Sequence, residues 1–194
     1  MEFFLYNFSF LWFNTFLALI AVLFGYLMLL AKSKIFKVIY GFLWFIFLPN
    51  TIYILTDLIH LYEDWPKVDL LFKIVLTFQY GLFAIAGVLT FIYGMYFFEK
   101  LLEKKNKKRR KPSTFLLIFI LNFIVGFGVI LGAVQRTNSW YIFTDPLRVI
   151  NDSLEILSSY KLWYTSIIFG IFSNIIYFYF VKSVTNWGKT RLKK

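Results

Sequence analysis

The chain has 194 residues, of which 60% are hydrophobic, 23% aromatic and 16% charged, and its formal net charge is +11. A soluble domain is about half apolar and about a quarter charged, so this composition excludes an ordinary soluble enzyme and a disordered chain. The absence of cysteine excludes a disulfide framework, a thiol nucleophile and a thiolate metal site. The composition therefore predicts an integral membrane protein.

Five apolar segments are long enough to cross the hydrocarbon core, which takes about 20 residues of helix. The predicted spans are 9–31, 38–57, 74–98, 114–134 and 162–181. We therefore predict an all-α fold, a polytopic transmembrane helix bundle that forms one integral membrane domain over residues 1–194.

The basic residues are distributed unevenly over the predicted loops. With the N-terminus outside, 16 of the 21 Lys and Arg residues fall on the inner side and eight of the ten Asp and Glu residues on the outer side. Positive charge beside spans marks the cytoplasmic side. We therefore predict an outside N-terminus, a cytoplasmic C-terminus and a cytoplasmic basic loop over 99–113. The basicity then reports orientation in the lipid bilayer, and no nucleic acid partner is expected.

A short amphipathic helix is predicted on the outer side, over about 146–158. Asp145 is a suitable N-cap and Pro146 a suitable first residue. The apolar residues that share one face are Leu147, Ile150, Leu154 and Leu157. This pattern is typical of a helix in the membrane interface, and we interpret it as a connector rather than as a lid over a cavity.

The second span carries a proline and a polar stripe. Pro49 is expected to kink or break the helix, and Asn50 to cap a new half-helix. If the helix continues, five polar residues share one face at spacings of three and four: Asn50, Tyr53, Asp57, His60 and Asp64. Asp57 then lies one turn from His60, the only histidine of the chain.

The fourth span delivers a second polar segment to the same side of the membrane, with Arg136, Asn138, Ser139 and Trp140. Polar and ionisable residues near spans usually face the bundle interior and find partners there, so we predict an ion pair between Arg136 and Asp57. Glycines that permit close helix contact precede this segment: Gly126, Gly128 and Gly132. Isolated amides are interpreted as contacts between helices: Gln79, Asn122 and Asn174.

These two segments resemble a bacterial family of small multi-pass membrane proteins that is defined only as a domain of unknown function. The first matching segment contains Pro49-Asn50, Tyr53, Thr56-Asp57 and His60-Leu61, and the second contains Gly128, Leu131-Gly132, Arg136 and Asn138-Ser139-Trp140. The resemblance covers the second to fourth spans. It differs at Tyr141, where the family has an acidic residue. The resemblance implies a bacterial plasma membrane location and no particular reaction.

One hypothesis for the polar cluster is an outward-facing site that binds or transports a small polar, anionic or lipid-headgroup ligand. The candidate ligand-binding residues are Asn50, Tyr53, Asp57, His60, Arg136, Asn138 and Trp140. Apolar walls with a few placed polar groups are usual for such sites.

A second hypothesis is a membrane-embedded hydrolase or transferase. Asp57, His60 and Asp64 would bind a divalent metal, with Glu63 or Asp145 completing the shell, because histidine and carboxylate ligands suit zinc or manganese. Alternatively, Ser139 would be the nucleophile, His60 the base and Asp57 the group that orients the ring.

A third hypothesis is structural. The polar cluster would then lock spans two and four together in a partner subunit of a membrane complex, because structural networks also concentrate charged groups.

Overall fold

The computed structural model describes residues 2–106 and 112–191, with side chains over 11–103 and 112–186, and every regular element in these ranges is helical. The helices are α1 Glu2–Leu30, α2 Lys34–Phe47, α3 Pro49–Tyr53, α4 Leu58–Asp64, α5 Leu70–Asn106, α6 Pro112–Ala133, α7 Tyr141–Thr144, α8 Pro146–Ser158 and α9 Tyr160–Arg191. A 3-10 turn, Trp65–Lys67, follows α4. The predicted all-α fold is confirmed.

Within the described residues, five segments are long and apolar enough to cross a membrane: Leu11–Leu30, Lys34–Lys67, Leu70–Glu103, Pro112–Ala133 and Tyr160–Asn186. The predicted number of spans is therefore confirmed, although the second and third are longer than expected. We call the end of the bundle that joins α1 to α2 and α5 to α6 the basic end, and the opposite end the polar end. Most of the predicted basic loop, 107–111, and the last residues, 192–194, lie outside the described residues.

The second span is broken at Pro49, as its proline predicts. Helix α2 ends at Phe47, and Pro49 is the first residue of the five-residue helix α3. The expected cap is wrong, since Leu48 occupies the N-cap position and Asn50 lies inside α3. Beyond α3, backbone N–H groups donate hydrogen bonds to the carbonyls three residues earlier. The Thr56 N–H, for example, donates to the Tyr53 carbonyl at 2.7 Å. These 3-10 bonds satisfy backbone groups that have no water to bind at membrane depth.

Helix α3 lies in the middle of the bundle, where Leu48, Thr51 and Ile52 are completely buried. Glycines on its neighbours make this position possible. A Cβ atom on Gly128 of α6 would lie 2.5 Å from Cγ of Pro49, and one on Gly87 of α5 would lie 2.9 Å from the Thr51 carbonyl oxygen. The break in the second span is thus enclosed by close-packed helices.

Helices α6 and α9 pack closely through Gly126 and a pair of buried amides. The Asn122 amide donates to Oδ1 of Asn174 at 3.0 Å, and the Asn174 amide donates to the Gly170 carbonyl at 2.9 Å. These two amides join helices, as predicted. The same interpretation of Gln79 is wrong, because both side-chain amide atoms of Gln79 are buried and have no hydrogen-bond partner within the described residues.

Helix α8 begins and ends where the amphipathic pattern places it. Oδ1 of Asp145 accepts a hydrogen bond from the Arg148 backbone N–H at 3.2 Å, which caps the helix. The predicted apolar face is exposed, as an interfacial helix requires: Leu147, Ile150, Leu154 and Leu157. Ile156, on the other side, is fully buried and fixes α8 against the bundle.

Candidate functional site

A cavity of about 220 Å³ lies at the polar end, between α3, α6 and the segment that leads from α6 to α8. We call it the polar-end cavity. Its polar lining consists of Asn14, Asn50, Tyr53, Thr137, Asn138 and Ser139. Apolar residues of α2 and α6 form much of the remaining wall, and none of the described residues in the lining is Lys, Arg, His, Asp or Glu. The described lining therefore offers hydrogen-bonding groups without a formal charge.

The two predicted polar segments meet in this cavity through Asn50 and Ser139. The Asn50 side-chain amide donates to Oγ of Ser139 at 2.7 Å and to the Phe47 carbonyl at 3.0 Å. The first bond joins α3 to the segment after α6 across 89 positions of sequence. The second uses a carbonyl near the end of α2 that the break at Pro49 leaves accessible.

The chain turns sharply after α6, at Arg136, whose φ is 56°. The Thr137 N–H donates to the Leu131 carbonyl at 3.1 Å across this turn. A left-handed conformation costs a non-glycine residue about 1–2 kcal/mol, so surrounding contacts must hold it. The turn leaves Arg136 exposed and places Asn138 and Ser139 in the cavity lining.

The predicted ion pair between Arg136 and Asp57 is wrong. Asp57 is 2% exposed and accepts a hydrogen bond at Oδ2 from the Asn14 amide of α1 at 2.8 Å. Arg136 lies within electrostatic reach of Asp57, but no ion pair between them occurs in the described part of the chain. Asn14 also lines the cavity, and it escaped the sequence prediction. The feature of the sequence that could have identified Asn14 is an amide side chain inside the mostly apolar first span.

The proposed metal ligands do not converge. Nδ1 of His60 lies 3.1 Å from Oε2 of Glu63, while Oδ1 of Asp64 lies 2.9 Å from Nζ of Lys67 and Asp57 binds Asn14. Over the ranges with described side chains, no group of three or more His, Asp and Glu residues can hold a metal ion. The continuous polar stripe fails because the helix is interrupted between Tyr53 and Leu58.

The proposed catalytic triad is not assembled either. Oγ of Ser139 accepts its hydrogen bond from Asn50, and Nδ1 of His60 lies 3.1 Å from Oε2 of Glu63. Trp140 packs edge to face against Phe13 of α1, with 6.1 Å between ring centroids. Among the candidate ligand-binding residues, those that line the cavity are Asn50, Tyr53 and Asn138; those that do not are Asp57, His60, Arg136 and Trp140.

Helix α8 contributes to the wall of the cavity and is joined to the turn after α6, so it is more than the simple connector that we expected. Val149 contributes to the lining. Thr137 donates a hydrogen bond to Oδ2 of Asp152, and Arg148 reaches both Oδ2 of Asp152 at 3.5 Å and the Gln135 carbonyl at 3.4 Å. These contacts fasten α8 to the turn that forms one wall of the cavity.

The five apolar helices define an all-helical, multi-pass membrane protein with a polar cavity at one end. The chain belongs to the family described as protein of unknown function, DUF1361, whose model matches residues 13–176. The match spans both polar segments, so the resemblance to a family of unknown function is confirmed. The chain matches no curated protein and no solved structure.

Proposed function

We propose that this protein binds a small polar ligand, or the polar head of a lipid, in the polar-end cavity. The observation that carries the proposal is the lining itself, in which amide and hydroxyl groups from α1, α3 and the turn after α6 converge inside apolar walls. A few placed polar groups in an apolar concavity are the usual composition of a small-molecule site. Because the described lining is uncharged, we exclude the anionic ligands of the earlier hypothesis and expect a polar ligand or lipid head without a formal charge.

Asn138 is the side chain best placed to contact this ligand. It lines the cavity, and among the described residues its side-chain amide forms no hydrogen bond. The amide of Asn50, in contrast, already donates to Ser139 and to the Phe47 carbonyl. A ligand therefore gains two donors and an acceptor from Asn138 without breaking a contact within the protein.

We expect Asn138→Leu to abolish ligand retention while the protein still folds, because the substitution removes no hydrogen bond between described residues. The measurement is mass spectrometry of the compounds that copurify with the protein in mild detergent. Asn151→Leu is the matched control, since Asn151 is exposed on α8 and lies outside the cavity lining. The parent and Asn151→Leu should carry one enriched compound at near-stoichiometric amount.

Two results would contradict the proposal. The parent protein would carry nothing beyond the bulk lipid of the membrane, or Asn138→Leu would retain the enriched compound as fully as the control. Loss of folding in Asn138→Leu, seen as aggregation on size-exclusion chromatography, would instead assign Asn138 a structural role.

We further propose a bacterial plasma membrane location with the N-terminus outside and the polar end facing outward. The uneven distribution of basic residues supports this orientation, and the family resemblance supports the location. The ligand would then enter from the outer side or from the outer half of the bilayer.

The orientation is tested with single cysteines, because the natural chain has none. We expect Glu155→Cys, at an exposed position of α8, to react with a membrane-impermeant maleimide in intact cells. Asn106→Cys, at the basic end, should react only after the cells are opened. The reverse pattern would place the cavity on the cytoplasmic side.

A further inference from the structure

A second concavity lies next to the polar-end cavity, on its side toward the basic end. This crevice lies between α2 and α6 and has a volume of about 600 Å³. It shares Phe45 of α2 and Ile124 of α6 with the polar-end cavity, so these two side chains form a wall of both spaces. Its described lining is apolar apart from Ser113, at the basic end of α6.

The crevice opens laterally, onto the lipid-facing surface of the helix bundle. Ile120 and Leu116 line it and are 50% and 56% exposed, although both lie inside a membrane span. Ile124, at the junction with the cavity, is 44% exposed. A molecule dissolved in the bilayer therefore reaches the crevice without passing through water.

The dimensions and polarity of the two spaces fit one amphiphilic molecule. From Ser113 to Ile124, α6 rises about 16 Å at 1.5 Å per residue, close to half of the roughly 30 Å hydrocarbon core. A hydrocarbon chain matches the apolar crevice, and a hydrogen-bonding head matches the amide and hydroxyl groups of the cavity. A phosphate or carboxylate head would lack a partner of opposite charge among the described lining residues, and buried charges need such a partner.

We propose that the ligand of the polar-end cavity is a lipid with an uncharged, hydroxyl-bearing head, whose chain lies in the crevice between α2 and α6. This inference rests on the proposed binding function and adds the substrate class and the second half of the site. The head contacts Asn138 and its neighbours beneath α8, while the chain passes Phe45 and Ile124 and runs along Ile120.

The test measures binding of defined lipids to the full-length protein in detergent by native mass spectrometry. The probes are dioleoylglycerol, its short-chain analogue dihexanoylglycerol, and the anionic dioleoylphosphatidylglycerol. We expect dioleoylglycerol to bind, and both other lipids to bind at least about tenfold more weakly. Excluding even two methylene groups from an apolar site weakens binding by about tenfold.

The matched variants are Ile120→Trp, which fills the crevice, and Ile175→Trp, which adds the same bulk to α9 outside the crevice, at a position 60% exposed against 50% for Ile120. Ile120→Trp should weaken the binding of dioleoylglycerol about tenfold, and Ile175→Trp should leave its binding unchanged. Equal binding of the anionic lipid, equal effects of the two variants, or no binding of any probe would overturn the inference.

The result also separates this inference from the proposed function. If dihexanoylglycerol binds as well as dioleoylglycerol, and Asn138→Leu weakens both, the cavity is a binding site and the crevice has no part in it. If Asn138→Leu weakens neither probe, and copurification also shows no dependence on Asn138, the proposed function itself fails.

Discussion

Gly126→Ala is expected to destabilise the protein by about 3 kcal/mol, the upper part of the range for overpacking a tight core. A Cβ atom at this position would lie 2.5 Å from the Gly170 backbone nitrogen and 2.6 Å from the Ser166 carbonyl oxygen. Both neighbours are backbone atoms of α9, so relief requires the two helices to separate. Separation would also weaken the hydrogen bond between Asn122 and Asn174. Thermal or denaturant unfolding in one detergent measures the effect.

Gly81→Ala is the control for this substitution. It replaces a glycine inside α5, where an added Cβ meets no atom within 4 Å. Alanine is the better helix former by about 1 kcal/mol, so Gly81→Ala should leave stability unchanged or raise it slightly. If the two variants unfold alike, the close contact between α6 and α9 is not a major source of stability.

Asn14→Leu is expected to lower the free energy of unfolding by about 2–3 kcal/mol, because it leaves the buried Asp57 carboxyl group without its hydrogen-bond donor. Asn14 and Asp57 are 8% and 2% exposed, and their bond is 2.8 Å long. Unfolding is again the measurement. Asn151→Leu, on the exposed part of α8, makes the same chemical change and should alter stability by less than about 0.5 kcal/mol.

A double-mutant cycle separates the hydrogen bond from other effects of Asn14→Leu. The pair Asn14→Leu/Asp57→Leu removes both polar groups, and replacing both partners with apolar groups is often nearly neutral. We therefore expect the double variant to be more stable than the sum of the single changes predicts. Strict additivity would show that the bond between α1 and the broken second span contributes little.

Hydropathy and helix signals were sufficient to predict the coarse architecture. The number of spans, the break at Pro49 and the cap of α8 by Asp145 each depend on local sequence, on apolar length or on the chemistry of one residue. The structure confirms all three. The meeting of the two polar segments was also predictable, because the second and fourth spans end on the same side.

The partners within the cluster could not be predicted from spacing. The stripe from Asn50 to Asp64 assumed a continuous helix, and the 3-10 segment after Tyr53 turns its members apart. Arg136 was assigned to Asp57 by charge, but its left-handed backbone conformation leaves the side chain exposed. Asn14 was not predicted as a site residue, because a single amide in a mostly apolar span forms no periodic pattern that would indicate its partner. Such pairings are set by tertiary packing, which local patterns do not encode.

The uncharged lining of the polar-end cavity has an energetic consequence for the site that we propose. Moving one elementary charge across a membrane at 100 mV changes its energy by about 2.3 kcal/mol, and salt at 0.1 M screens interactions between exposed charges more than about 10 Å apart. A neutral ligand held by amide and hydroxyl groups is subject to neither effect. Occupancy would then follow the concentration of the lipid in the bilayer, and it would remain the same in energised and de-energised cells.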